Sequence, residues 1–81
     1  MKSKSRVVKE GPYNFYALVS DIHEKEFYFK GVYDNIDQFK NKIKTYYATE
    51  IDVVDAYTLR FNYVSNVCKI DGVDDGKYIN V

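Results

Sequence analysis

The two side chains best suited to nucleophilic chemistry are Cys68 and His23, the only cysteine and the only histidine of the chain. A cysteine nucleophile needs a base that removes its proton, and histidine usually supplies that base. The two residues fall in different predicted elements, and nothing in their spacing brings them together. We therefore interpret Cys68 as a small apolar strand residue and His23 as part of a hairpin loop, and we expect no enzymatic activity.

Groups that could hold a metal ion or a phosphate are also sparse. Structural zinc sites take four Cys or His ligands, and this chain has two such residues in total. The acidic run at 71–76, Asp-Gly-Val-Asp-Asp-Gly, has the composition of a calcium loop but lacks its alternating ligand spacing and distal glutamate. The four glycines, at 11, 31, 72 and 76, are too dispersed for a phosphate loop. We expect neither a metal site nor a cofactor.

Residues that could bind a partner are more prominent than reactive ones, because aromatic residues make up 17% of the chain. Tyr16, Tyr28, Lys30 and Arg60 are predicted to share one face of a sheet. Rings on such a face can stack on bases while the cations neutralise phosphates. Tyrosine, phenylalanine and arginine are also enriched in protein–protein interfaces. The pattern therefore favours a binding surface and leaves both classes of partner open.

Positive charge is concentrated at the start of the chain. The formal net charge is zero, but Lys4, Arg6 and two further lysines give residues 1–9 four positive charges and no acid. The remainder carries twelve acidic residues against eight basic ones. Lysine, serine and a closing Gly-Pro pair predict a flexible basic arm over residues 1–11, followed by a single α+β domain over residues 12–81. Lys4 and Arg6 are the arm residues expected to contact a partner.

The length of the chain, 81 residues, allows one hydrophobic core, which the many aromatic rings help to fill. A lone cysteine excludes an intramolecular disulfide and favours a reducing compartment. The first ten residues lack the apolar run of a signal peptide, and no stretch is long enough to span a bilayer. We therefore expect a cytoplasmic protein that does not enter a membrane.

Period-two patterns predict the strands that must position the candidate residues. In the run 13–20, Phe15 and Val19 point one way and Tyr16 the other, and because both faces are partly apolar this strand should be central. Residues 21–25 fit a hairpin loop, and a second strand follows over 27–33. Gly31 within it indicates a bulge or a close approach by the helix.

The clearest local signal is an amphipathic helix over about residues 35–48. Asn35 is a good N-cap, and Gln38 three residues later completes a capping box. The apolar residues at helical spacing are Ile36, Phe39, Ile43 and Tyr47.

A third strand is predicted from Tyr57 to Tyr63 by strict alternation, with residues 57, 59, 61 and 63 on one face. Turn-forming pairs at 71–72 and 75–76 allow short strands at 67–70 and 78–81, and hence a C-terminal hairpin. The predicted fold class is α+β: a small antiparallel sheet with one helix packed on one face, in β-β-α-β order. One helix covers one face, so we expect the opposite face to meet water or a partner.

The order of these patterns resembles the small phage-encoded host-takeover inhibitors. The similarity lies in the strand runs 15–20 and 26–33, the capped helix from Asn35 and the run Tyr57-Thr-Leu-Arg-Phe, and it covers about residues 15–63. These patterns look like the RNA polymerase inhibitor of T7-type phages and, more loosely, the antitoxins of T-even phages. The polymerase inhibitor presents several arginines on its third strand, where this chain has only Arg60. The resemblance implies a non-catalytic protein that occupies a surface of a host polymerase, nuclease or toxin.

The leading hypothesis is a phage-type inhibitor that binds a host protein, as in host takeover or counter-defence. Its expected contact residues are Tyr16, Tyr28, Lys30, Arg60, Lys4 and Arg6. The alternative is an RNA- or single-stranded nucleic-acid-binding module that uses the same face and arm. A third hypothesis is a homodimer formed through edge strands or the apolar sheet face.

Overall fold

A computed structural model describes residues 12–51 and 58–81. The predicted basic arm, with Lys4 and Arg6, and the start of the predicted third strand, with Tyr57, lie outside the described residues. One helix, α1, packs on a sheet of four strands in the order β3-β1-β2-β4. The elements are β1 (Tyr13–Ser20), β2 (Glu26–Tyr33), α1 (Ile36–Tyr46), β3 (Arg60–Ser65) and β4 (Tyr78–Asn80).

The pairing of the strands confirms the α+β class and the central position of β1. β1 runs antiparallel to β2 in an unbroken register from Tyr13 opposite Tyr33 to Ser20 opposite Glu26. β3 pairs antiparallel with the other side of β1, whereas β4 pairs in parallel with β2. The sheet is therefore mixed and not wholly antiparallel as predicted, and the predicted C-terminal hairpin of residues 67–70 with 78–81 does not form, because β4 pairs with β2. Residues 67–70, a strand candidate, are not a strand.

Helix α1 begins where the capping signal predicts. The Asn35 side-chain oxygen accepts a hydrogen bond from the Gln38 backbone N–H (3.0 Å), and the Gln38 side-chain oxygen accepts one from the Asp34 backbone N–H (3.1 Å). The helix ends at Tyr46 and continues as a π-helical turn, Tyr47–Ile51. Phe39, Ile43 and Tyr47 are fully buried as expected, but Ile36, in the first turn, stays 40% exposed and is not part of the core.

The core lies between α1 and the odd-numbered residues of β1 and β2. Phe15 stacks on Phe39 with 5.3 Å between ring centroids, and Phe29 contacts the rings of Tyr46 at 5.4 Å and Tyr47 at 5.7 Å. All of these residues are buried except Tyr46, which is half-buried. Such ring pairs add to the free energy that burial of their area provides.

A β-bulge in β3 changes which of its residues face the helix. Leu18 pairs with Tyr63 but Val19 pairs with Phe61. One residue of β3, Asn62, therefore has no residue directly opposite it in β1. Because an extra residue reverses the alternation of side chains, Phe61 packs against the core while Tyr63 lies on the other face with Leu18. The prediction that residues 61 and 63 share one face is therefore wrong.

Gly31 lies at a close approach, but neither a bulge nor the helix is involved. The β1–β2 register is continuous there, so no bulge is present. A Cβ atom at this position would lie 2.5 Å from the Tyr33 ring and 3.2 Å from the Val81 carbonyl oxygen. The close approach comes from Tyr33 and the end of the chain, not from the helix.

The loop between β1 and β2 buries a carboxylate beside a buried tyrosine. Asp21 is 3% exposed, and its side chain accepts hydrogen bonds from the backbone N–H groups of His23 (2.8 Å) and Lys25 (3.1 Å). The Tyr47 hydroxyl donates a hydrogen bond to the Val19 carbonyl oxygen (3.2 Å). Burial, and next the negative charge of Asp21, raise the pKa of Tyr47 to about 12.

We expect stability to fall between pH 10 and about 12 because of Tyr47. The folded protein holds the hydroxyl proton more tightly than the unfolded chain, whose tyrosine pKa is about 10. This contribution is complete below pH 10 and is lost as pH rises through the folded pKa. Urea unfolding measures the loss in the free energy of unfolding between pH 9 and pH 11 for each protein. We expect this loss to be about 1 kcal/mol larger for the wild type than for Tyr47→Phe. Equal losses would show that Tyr47 does not cause the pH dependence.

Candidate functional site

The sheet face opposite α1, called the second face below, brings three predicted contact residues together. Tyr16 on β1 lies directly opposite Lys30 on β2. Tyr28 is two residues from Lys30 in β2 and hence on the same face. β4 adds Tyr78 beside Tyr28 and Asn80 beside Lys30. Directly opposite residues have Cβ atoms about 5 Å apart, so these side chains form one continuous surface.

Tyr78 is the centre of this surface, and the sequence analysis did not select it. Its ring meets Tyr16 edge to face at 5.4 Å and Tyr28 at 5.9 Å, and the residue is only 5% exposed. The Tyr78 hydroxyl accepts a hydrogen bond from the Ile70 backbone N–H (2.9 Å). The turn-forming pairs before it allowed a strand at 78–81, but no local signal indicated the strand with which it pairs.

Residues 66–77, the C-terminal crossover, run across the second face from β3 to β4. The Tyr63 hydroxyl donates to the Cys68 carbonyl oxygen (3.2 Å), and Ile70 is held by Tyr78. Val73 is buried although it is not part of the core under α1. As a result Tyr16 and Tyr28 are half-buried, and this face, expected to meet water or a partner, is partly covered by the chain itself.

The charges on the second face are mixed in sign. Lys69 and Asp75 form an exposed ion pair within the crossover, with 3.0 Å between the ammonium nitrogen and a carboxylate oxygen. The hydrogen bond and charge of Lys69, and then the charge of Lys30, lower the pKa of Asp75. The pKa of Lys69 is raised chiefly by the same hydrogen bond. The described part of this face is therefore not a continuous basic track.

A groove of about 250 Å³ remains open on the second face beside the crossover. Its floor is formed by β1 and β2, and β4 closes one side. The side chains that border it on this face are Asn14, Tyr16, Lys30, Val32 and Asn80. Two of the predicted contact residues, Tyr16 and Lys30, therefore border one concave feature.

Arg60 lies on the second face, as predicted, but outside this groove. It pairs with Ser20, which is four residues along β1 from Tyr16 and hence about 13 Å away. Arg60 instead borders a depression at the β1–β2 loop, together with Ile22 and Glu24. Sequence periodicity placed it on a face but not along the length of the sheet. The roles of Lys4 and Arg6 stay predictions, because both lie outside the described residues.

The two residues considered for nucleophilic chemistry lie at opposite ends of β1. His23 is in the loop that follows β1, as predicted. Cys68 is exposed, lies outside any strand and borders a depression with Pro12 and Asn14, so its assignment to a strand is wrong. Within residues 12–51 and 58–81, no three His, Cys, Asp or Glu side chains form a group that could hold a metal.

Comparison with known proteins found no relative of this chain. No family model, curated protein or solved structure matches the chain. In the described ranges, no helix is long and apolar enough to cross a membrane. The functional argument therefore depends on the geometry of the second face and on its own charges.

Proposed function

We propose that this protein is a non-catalytic binding protein of the phage-inhibitor type, which acts in the host cytoplasm by covering a surface of a host protein. The observation that carries the proposal is the groove around Lys30, bordered by the half-buried Tyr16 and by exposed amide side chains. Half-buried tyrosine is typical of protein interfaces, in which aromatic residues are enriched.

The packing of the tyrosines favours a protein over a nucleic acid as the partner. Single-stranded nucleic acids need free ring faces on which bases stack and several cations along the backbone. Here the rings of Tyr16 and Tyr28 both contact Tyr78, and the crossover adds the carboxylate of Asp75 beside Lys69. The nucleic-acid hypothesis remains the alternative that the experiment must distinguish.

Affinity capture from bacterial lysate with the wild type and with Lys30→Glu, which reverses the charge of Lys30, tests the proposal. We expect Lys30→Glu to reduce recovery of the host protein at least tenfold, because a buried interface tolerates a reversed charge poorly. Lys42→Glu is the matched control: it makes the same change in charge on the exposed side of α1 and should leave recovery unchanged. Quantitative mass spectrometry of nuclease-treated and untreated halves provides the measurement.

Three outcomes would contradict the proposal. Recovery that disappears after nuclease treatment would assign binding to a nucleic acid. Equal losses for both variants would indicate nonspecific dependence on charge. Capture of only a second copy of this chain, supported by sedimentation at several concentrations, would favour the homodimer. Thermal unfolding of both variants must match the wild type for any of these comparisons to hold.

A further inference from the structure

Lys30 lines the groove and forms no ion pair with a carboxylate of the described residues. It lies opposite Tyr16 on one side and Asn80 on the other, and it is half-buried. Across residues 12–51 and 58–81, the ion pair within 4.0 Å joins Lys69 to Asp75, and none includes Lys30. The ammonium group of a half-buried lysine with incomplete pairing is stabilised by an anion that can reach it.

Two amide side chains flank this ammonium group. Asn14 and Asn80 are exposed and border the same groove. Neither makes a side-chain hydrogen bond to another residue in the described part of the chain. Each amide has N–H donors not used within the described residues, and a carboxylate can accept hydrogen bonds from an ammonium and an amide at the same time.

Lys30 is the only charged residue among the described residues that line the groove. Its charge acts on Asp75, whose carboxylate is already hydrogen-bonded to Lys69. The groove lining itself therefore carries a positive charge that an anionic ligand can balance. The groove, at about 250 Å³, is below the usual range of pockets for drug-sized molecules and suits a single side chain.

We propose that the groove around Lys30 binds a carboxylate side chain from an acidic segment of the partner protein. This inference rests on the proposed function, because it names the chemistry of the surface that the protein covers. The ammonium group of Lys30 neutralises the carboxylate, Asn14 and Asn80 donate hydrogen bonds, and Tyr16 and Val32 contact the apolar stem. A single cation does not suit the repeated phosphates of a nucleic acid, which need several.

Titration of the isotope-labelled protein with a blocked tetraglutamate peptide tests this site by nuclear magnetic resonance. At pH 7 and 50 mM salt we expect saturable shifts of the Asn14 and Asn80 side-chain amide signals and of the Gly31 backbone amide. Lys30→Gln should weaken binding about tenfold, the usual effect of losing a charge-assisted hydrogen bond. Lys42→Gln, the control on the exposed side of α1, should bind like the wild type.

Two further probes separate the carboxylate from other ligands. A blocked tetraglutamine peptide should produce no saturable shift. Octauridylate should shift the same signals only with weaker affinity than tetraglutamate. Equal binding of tetraglutamine, tighter binding of octauridylate, or unchanged affinity in Lys30→Gln would each overturn the carboxylate site. Because the probe is a peptide, its binding is measured independently of lysate capture, so failure of this inference and failure of the proposed function give different results.

Discussion

Replacing Phe29 with alanine is expected to lower the free energy of unfolding by about 3–5 kcal/mol, the largest effect of any single substitution considered for this protein. Phe29 is fully buried at the centre of the sheet and contacts the rings of Phe27, Tyr46 and Tyr47. Truncation removes the buried ring and leaves a cavity between β2 and α1 that its aromatic neighbours cannot fill without leaving their own contacts.

The expected loss is large relative to the whole stability of such a domain, about 4–12 kcal/mol at this chain length. Urea unfolding followed by circular dichroism provides the measurement. Val32→Ala on the same strand is the matched control, because Val32 is 57% exposed and its truncation should cost less than about 0.5 kcal/mol. If the two variants were equally stable, β2 would not be oriented with Phe29 toward the helix.

Replacing Tyr78 with alanine is expected to cost about 3 kcal/mol and to free the C-terminal crossover from the second face. The substitution removes the ring between Tyr16 and Tyr28 and the acceptor of the Ile70 backbone hydrogen bond. Tyr78→Phe keeps the ring but leaves that N–H without its acceptor, so it should cost about 1 kcal/mol. The two variants therefore separate the contribution of packing from that of the hydrogen bond.

Amide hydrogen exchange locates the effect within the chain. In both Tyr78 variants the Ile70 amide should exchange faster, and in Tyr78→Ala the faster exchange should extend over residues 66–77. Tyr63→Phe is the control: it removes the hydrogen bond to the Cys68 carbonyl oxygen, at an exposed position, and should cost less than about 0.5 kcal/mol. Unchanged exchange at Ile70 in both Tyr78 variants would show that Tyr78 does not hold the crossover.

The position of Tyr78 also links stability to the proposed binding site. β4 contributes both Tyr78, which fixes the strand, and Asn80, which borders the groove next to Lys30. We therefore expect Tyr78→Ala to weaken binding of tetraglutamate as well as stability, whereas Lys30→Gln should weaken binding alone. A site built on strands rather than on a loop holds its polar groups in a defined arrangement.

Local signals were sufficient for the elements that depend on neighbours in sequence. Asn35 and Gln38 located the start of α1, and helical spacing identified Phe39 and Ile43 as core residues, because capping and amphipathicity act within one or two turns. Alternation likewise identified β1 as the central strand and placed Tyr16 and Tyr28 on the face away from α1.

Tertiary structure alone decided the features that depend on which strands pair and in what register. The bulge opposite Leu18 and Val19 moved Tyr63 to the second face, and the register of β3 separated Arg60 from Lys30. Parallel pairing of β4 with β2 buried Tyr78 between Tyr16 and Tyr28 and brought Asn80 beside Lys30. Residues so far apart along the chain share no local periodicity, so the composition of the binding groove follows from strand pairing and not from any single segment of sequence.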